Sequence, residues 1–494
     1  MLTLPSTDAK RAGLITEELA SYVSDRSKVW RAKRRVGKKL RQYESVDALH
    51  GLYFDGRRDK TLARVKKGAK YRRRVIKEAH ISLVSEPGSQ YVGHVTPDGG
   101  SAEAECQAIL EYLTETSVDL TNLTVAGADG TAVNTGWKGG VIRKLEETLN
   151  RPLQWVICML HFNELPFRAL FERIDGVSAS PNTYVGPIGS KLPECETLPV
   201  TKFVKFSSCQ LPEDVIEPSK LSTDQAYLYK ISQAVICGHC PEDLSRLDPG
   251  ALCKSRWLTC ANRILRLYIS TPKPTQKFKS IVEFILKVYS PMWFTIRFQK
   301  SIKDGSRHLY EAIKRSRYLP ANLRKIVDAS IQQNAYFAFP ENILLSMMTD
   351  ECSEVRKLAL GRLLGAREAD TGSKNKTIRY NIVPKLNFKA KKYYDMIDWS
   401  TVTLTMPPVL RHVSNEELIS SLSEATVKDW DFALFPSHTV AVERTVKLVT
   451  DASSSVCGSE ARDGYIRATL KSRKQIPTFA TKAHFTSSLD SDSD

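Results

Sequence analysis

Three carboxylates far apart in the chain carry the chemistry this sequence offers: Asp55 in LYFDGRRDKT, Asp129 in LTVAGADGTAVNTG and Glu443 in HTVAVERTVKLVT. The aspartates follow the short apolar runs Leu52-Tyr53-Phe54 and Leu123-Thr124-Val125-Ala126, which predicts a carboxylate at the C-terminal tip of a strand in each case. Glu443 falls in a helix-forming stretch. Hard oxygen ligands suit Mg²⁺ or Mn²⁺, and two such ions about 3.5–4 Å apart activate an attacking oxygen and stabilise a leaving one in phosphoryl transfer. Taken singly, Asp55-Gly56 and Asp129-Gly130 read as ordinary turn dipeptides and Glu443 as a solvated helix residue. The metal reading therefore belongs to the set.

The elements that must position these residues follow from hydrophobic periodicity and turn signals. Strands are predicted at 52–55, 80–85 and 90–96, then a helix at 101–116, a strand at 122–128, a helix at 138–149 and a strand at 153–160. This is the element order of an α/β, ribonuclease H-like mixed sheet, whose first and fourth strands lie side by side and would bring Asp55 and Asp129 together. A strand order shifted by one would make Glu86 the first ligand instead. Beyond His161 the pattern turns helical, through 164–174, 222–238, 257–270, 278–290, 307–316, 320–333 and 340–364, with a Pro/Gly-rich loop at 181–199. Helices at 438–453 and 460–473 close the pattern. The expected organisation is a basic helical segment at 1–48, a first part of the core at 49–165, a large all-α insertion at 166–430, last core helices at 431–475 and a disordered acidic tail at 476–494.

The composition fits a nucleic-acid partner. A chain of 494 residues that is 42% hydrophobic buries a large core, and its net charge of +17 suggests a polyanion. The charge gathers in Lys28–Arg41, Arg64–Lys77 and Lys374–Lys392. The second run is expected between the Asp55 strand and the next, where Lys66, Lys67, Arg72, Arg73 and Arg74 could hold a phosphate backbone. Either of the first two runs also reads as a nuclear localisation signal. No apolar run of about 18 residues predicts a membrane span, and the ten scattered cysteines without an export signal predict reduced thiols.

Other motifs have bland readings that outweigh the sharp ones. Cys158 and His161 are good zinc donors, yet two ligands leave a tetrahedral site open, so a structural role is expected for them. Cys237-Gly238-His239-Cys240 copies a redox dithiol without the usual preceding aromatic. With Cys253 and Cys260 it would make a four-cysteine zinc site, but Cys260 sits on an amphipathic stretch that favours burial. Gly136, Gly139 and Gly140 match no phosphate-loop spacing and are read as a turn that leaves Lys138 near the site. Trp257, beside Arg256, is a core residue unless exposed, in which case it could stack on a flipped base.

The order of an Asp-tipped first strand, an Asp-tipped fourth strand, a Cys-x-x-His, a helical insertion and a late Glu-Arg resembles the hAT-type cut-and-paste DNA transposases and genes derived from them. The resemblance covers roughly residues 50–475. It implies that Asp55 and Asp129 are the catalytic aspartates of a DDE site and that Glu443, followed by Arg444, is its last ligand. Cys158 and His161 in WVICMLHFNEL resemble the family's Cys-x-x-His signature, and Arg256-Trp257 in SRWLT its Arg-Trp pair. The implied activity is strand cleavage and joining with Mg²⁺ or Mn²⁺ on DNA in the nucleus, and a homo-oligomer is compatible with it. A domesticated DNA-binding or scaffold protein without catalysis is the alternative, and a plain metal-dependent nuclease would use the same residues. Two departures stand out. No cysteine precedes Cys106 and no Cys/His finger spacing occurs in the N-terminal segment, so either the chain is truncated or it relies on DNA contacts other than the family's zinc finger, and Val446-Lys447 replaces the aromatic-serine pair tied to packing and dimer contacts.

Overall fold

The computed structural model of the chain describes residues 26–43, 48–180, 182–253, 255–371, 382–423 and 433–475. The predicted tail at 476–494 and the stretch 374–381 of the third basic run lie outside the described residues. In chain order, helix α1 (Arg26–Tyr43) precedes strands β1 (Gly51–Lys67), β2 (Lys70–Glu86) and β3 (Gln90–Val95) and helix α2 (Ala102–Glu115). Strand β4 (Val125–Ala128), helix α3 (Val141–Leu149), strand β5 (Gln154–Ile157) and helix α4 (Met159–Asp175) follow. A long helical stretch includes α5 (Trp257–Ile269), and α6 (Val440–Val446) and α7 (Ser459–Gln475) come last. Antiparallel pairing among the first three strands and parallel pairing of the next two, amid many helices, make this a mixed α/β protein. Two compact units divide it: Met1–Leu123 with Thr439–Asp494, and Thr124–His438.

The first unit is built on β1, β2 and β3. β1 pairs with β2 over its whole length, from Gly51 opposite Glu86 to Lys67 opposite Lys70, and Gly68 (φ 63°) begins the two-residue turn. A positive φ at the first turn position matches the right-handed twist of a hairpin and costs glycine nothing. Only the base of this hairpin is core, with Leu52, Tyr53, Phe54, Leu83 and Val84 at most 1% exposed. Residues 64–77 are exposed throughout, so the basic run predicted as a connection between short strands is itself strand.

Each face of this sheet has its own helical cover. On one, Gly93 makes room for Tyr112 of α2, whose hydroxyl donates to the Val92 carbonyl at 3.2 Å. On the other, Tyr91 packs with Leu448, Ile466 and Leu470, and Arg462 of α7 reaches Glu78 (3.1 Å), His80 (3.4 Å) and Thr96 (3.2 Å). α6 packs on β1 and β2. The helix predicted over 438–453 is interrupted after Val446, because Asp451 to Ser453 run as an extended edge beside β1: Leu62 N–H donates to Asp451 O (2.9 Å) and Ser453 N–H to Leu62 O (3.0 Å).

In the second unit β4 and β5 are short, apolar and wholly buried, the signature of parallel strands covered on both faces. Glu146 of α3 ties them to their helix by accepting from the Leu153 amide (2.8 Å) and the Trp155 indole (3.0 Å), beside Arg143. Burial pushes the Glu146 carboxyl up, and the Arg143 guanidinium opposes it. The helical stretch has its own aromatic core, in which Phe167 meets Trp257 (5.0 Å between centroids), Tyr289 (4.9 Å) and Phe284 (6.4 Å).

Candidate active site

Asp55 sits where β1 passes from its buried base to its exposed arm, rather than at a strand end as the apolar run suggested. Its Oδ1 accepts from the Gly56 amide at 2.8 Å. The ladder sets Asp55 opposite Ser82 and Ser82 opposite His94, so the three side chains form one row on the face covered by the C-terminal helices. Glu443 belongs to α6, on that side, and its Oε1 accepts from the Thr439 hydroxyl at 3.2 Å. Sequence reasoning missed Ser82 and His94, since only the strand register connects residues 55, 82 and 94.

Two histidines lie near this row. Burial, with Arg462 and His80 adding repulsion, holds the His94 imidazole down at about 3, and its ring lies 5.4 Å from that of His80. Burial and Arg462 lower His80 as well, against the pull of Glu78. Both rings therefore stay neutral at physiological pH. Glu86, the alternative first ligand, is 3% exposed and takes the Ser89 amide and hydroxyl at 2.9 Å each, a role in closing the β2–β3 turn.

Asp129 follows β4 in the second unit. Its Oδ1 accepts three hydrogen bonds, from the Thr131 amide (3.2 Å), the Thr131 hydroxyl (2.7 Å) and the Asn134 side chain (2.6 Å). One oxygen is thus pinned into the turn and fixes the carboxylate, which leaves Oδ2 as the atom able to ligate. Beside it stand the signature residues. The Cys158 amide donates to Ala128 O (2.9 Å) where the two strands end, Cys158 is buried as the residue before α4, and His161 lies in the first turn of that helix. A Cβ on Gly130 would come within 3.1 Å of the His161 ring, so glycine lets the imidazole back the Asp129 turn. Thr131 and Asn134 are legible as GADGTAVN only in hindsight, as turn and helix-start residues.

Trp257 is 3% exposed and packs on Phe167, Phe171 and Tyr184, so it is a core residue with no face for a base. Arg256 is exposed and pairs with Asp224 at 3.4 Å. Among the residues of described burial, an exposed indole is found instead at Trp137, 52% accessible, with the Lys138 ammonium 4.8 Å from its ring centroid. None of the ten cysteines is in a disulfide. Among the described residues no group of three or more His, Cys, Asp or Glu side chains is gathered to hold a metal ion, and no helix is long and apolar enough to cross a membrane.

No protein-family model matches the chain, and no curated protein matches it either. Function rests on the residues alone.

Proposed function

We propose that the chain is a DNA-binding, hAT-transposase-like protein with a ribonuclease H-like core, and that Asp55, Asp129 and Glu443 are the ligands of its DDE site. The observation that carries this reading is that Asp55 points to the sheet face covered by the helices of the segment bearing Glu443, although 388 residues separate the two in sequence. Three antiparallel strands, a helix, a strand, a helix, a strand and a helix also follow the order such a core requires. The donor set is all carboxylate oxygen, which fits Mg²⁺ or Mn²⁺ and not a soft metal. Those ions, when bound, lower the pKa of water and offset charge on a leaving oxygen. The protein's own contribution is positional. Thr131 and Asn134 fix the Asp129 carboxylate, Thr439 orients Glu443, and the basic run containing Lys66, Lys67, Arg72, Arg73 and Arg74 supplies the cations for phosphates.

The test is nicking of a DNA end in Mg²⁺ or Mn²⁺. Asp55→Asn, Asp129→Asn and Glu443→Gln are each expected to abolish strand cleavage while DNA affinity stays near the parental value, because removing one ligand disables the site and leaves the charge-driven binding in place. A parent chain that binds DNA and never cuts it would favour the domesticated, non-catalytic reading. Equal cutting by Asp129→Asn would overturn the triad.

A further inference from the structure

The arm of the β1–β2 hairpin has two unlike faces, and the ladder register assigns every residue to one of them. Even positions of β1 lie opposite odd positions of β2: Lys60 faces Lys77, Leu62 faces Val75, Arg64 faces Arg73 and Lys66 faces Tyr71. This face carries five cations and no acid. The opposite face holds both acids of the arm. There Asp59 pairs with Arg57, and Glu78 pairs with Arg462 at 3.1 Å. Towards its base the second face is also obstructed, because Thr61 and Ala63 are buried at 1% and 3%, although Val65 and Ile76 nearer the tip are exposed. On the first face, by contrast, Leu62, Tyr71 and Val75 are 36%, 60% and 67% exposed, and the Arg64 guanidinium lies 4.7 Å from the Tyr71 ring centroid.

We infer that this open face, Lys60, Leu62, Arg64, Lys66, Tyr71, Arg73, Val75 and Lys77, is a groove-binding surface for B-form duplex DNA. The inference rests on the nucleic-acid reading above and gives it a geometry. Two strands about 4.8 Å apart fit a major groove about 12 Å wide, which admits a two-stranded ribbon. From Lys60 to Lys67 the face runs about 24 Å, at about 3.4 Å per residue, and it is two-stranded beyond Arg64, where the Asp451–Ser455 segment along the β1 edge ends with the Arg64 amide donating to the Ser455 hydroxyl at 3.2 Å. Lys and Arg at its rows reach phosphates along both groove walls, and the apolar residues between them meet thymine methyls and sugar edges. A second copy of this chain is disfavoured as occupant, since two such faces repel, and A-form RNA has a major groove too deep and narrow to enter. The consecutive Arg72-Arg73-Arg74 therefore does not act as a unit. Arg73 faces the groove and its two neighbours face away.

Two variants with the same change in charge test this. Lys60→Gln/Lys66→Gln/Arg73→Gln removes three of the five cations of the open face, and Lys67→Gln/Arg72→Gln/Arg74→Gln removes three from the other. All six side chains lie on the solvated arm, so both variants should fold, which circular dichroism checks. Affinity for a short mixed-sequence DNA duplex is measured against salt, with duplex RNA of the same sequence as competitor. The open-face variant should flatten the log–log slope by about 2 to 3, at about 0.9 for each phosphate left without its cation, and the other by less than about 1. RNA should compete poorly. If the parent binds DNA with a steep slope but the two variants flatten it equally, or RNA competes as well as DNA, the ribbon assignment is overturned and the nucleic-acid reading stands. A parent with no salt-dependent DNA affinity overturns both.

Discussion

At the scale of residues, the row Asp55, Ser82, His94 joins the proposed chemistry to the stability of the fold. His94 is kept neutral by burial and by Arg462, with a folded pKa of about 3 against 6.5 for the free side chain. Between those values the unfolded chain binds the proton and the folded one does not. Stability is therefore complete above about pH 6.5 and falls as pH drops towards 3, with this one group contributing at most about 1.4 kcal/mol per pH unit. Replacing the ring by a neutral amide, His94→Gln, should flatten the decline in unfolding free energy between pH 6.5 and 5, as measured by urea titration. An unaltered pH slope would show that the imidazole titrates freely in the folded state. The carboxylates themselves are legible in the sequence by type and by their apolar neighbours. Their supports are not. Ser82 and His94 depend on register, and Thr131 and Asn134 serve Asp129 through a local turn that many sequences share.

At the scale of elements, the sequence announces which strands and helices exist better than where they end. The apolar alternation predicts β2 from residue 80, yet pairing starts at Lys70 because a hairpin ladder needs only backbone partners and tolerates charged side chains on both exposed faces. The helix expected over 438–453 stops early because Asp451 to Ser453 give their backbone to the edge of β1, a tertiary demand that local periodicity does not record. Helix crossings are less legible still. α1 crosses α7 at Gly37 and Gly464, and a Cβ built on Gly464 would lie 3.0 Å from the Gly37 Cα, closer than side chains normally come to backbone. On Gly37 the nearest atom would be 3.4 Å away, an ordinary contact. Glycine inside a helix costs roughly 0.5–1 kcal/mol relative to alanine, whereas overpacking costs about 1–3. Gly37→Ala is thus expected to be neutral or mildly stabilising, and Gly464→Leu to lever α1 away, with reduced amide-exchange protection over 26–43. Retained protection in Gly464→Leu would mean that the crossing is not the close one described.

At the scale of the whole molecule, charge is separated from the core. Residues 57–77 hold eleven Lys or Arg and one acid, a net +10, against +17 for the entire chain. A patch of that density serves no packing purpose, since residues 64–77 are exposed and like charges face each other across the ladder, as Arg64 and Arg73 do. Such repulsion points to a partner that neutralises it. The arm can therefore be shortened without touching the core. Replacing residues 66–71 by Asn-Gly joins Val65 to Arg72, which already oppose each other in the same kind of pair as Lys67 and Lys70 at the present turn, through a turn suited to a two-residue hairpin. The deletion removes Lys66, Lys67 and Lys70 and no buried residue. The melting temperature should hold or rise as repulsion is relieved. DNA affinity should fall, with a salt slope lower by about 1 to 2, since Lys66 alone among the cations removed lies on the open face and contributes about 0.9. A shortened chain that melts normally and binds duplex DNA with the parental slope would remove the tip of the arm from the DNA path and move attention to the exposed cations Lys28, Arg31, Arg35 and Lys39 of α1.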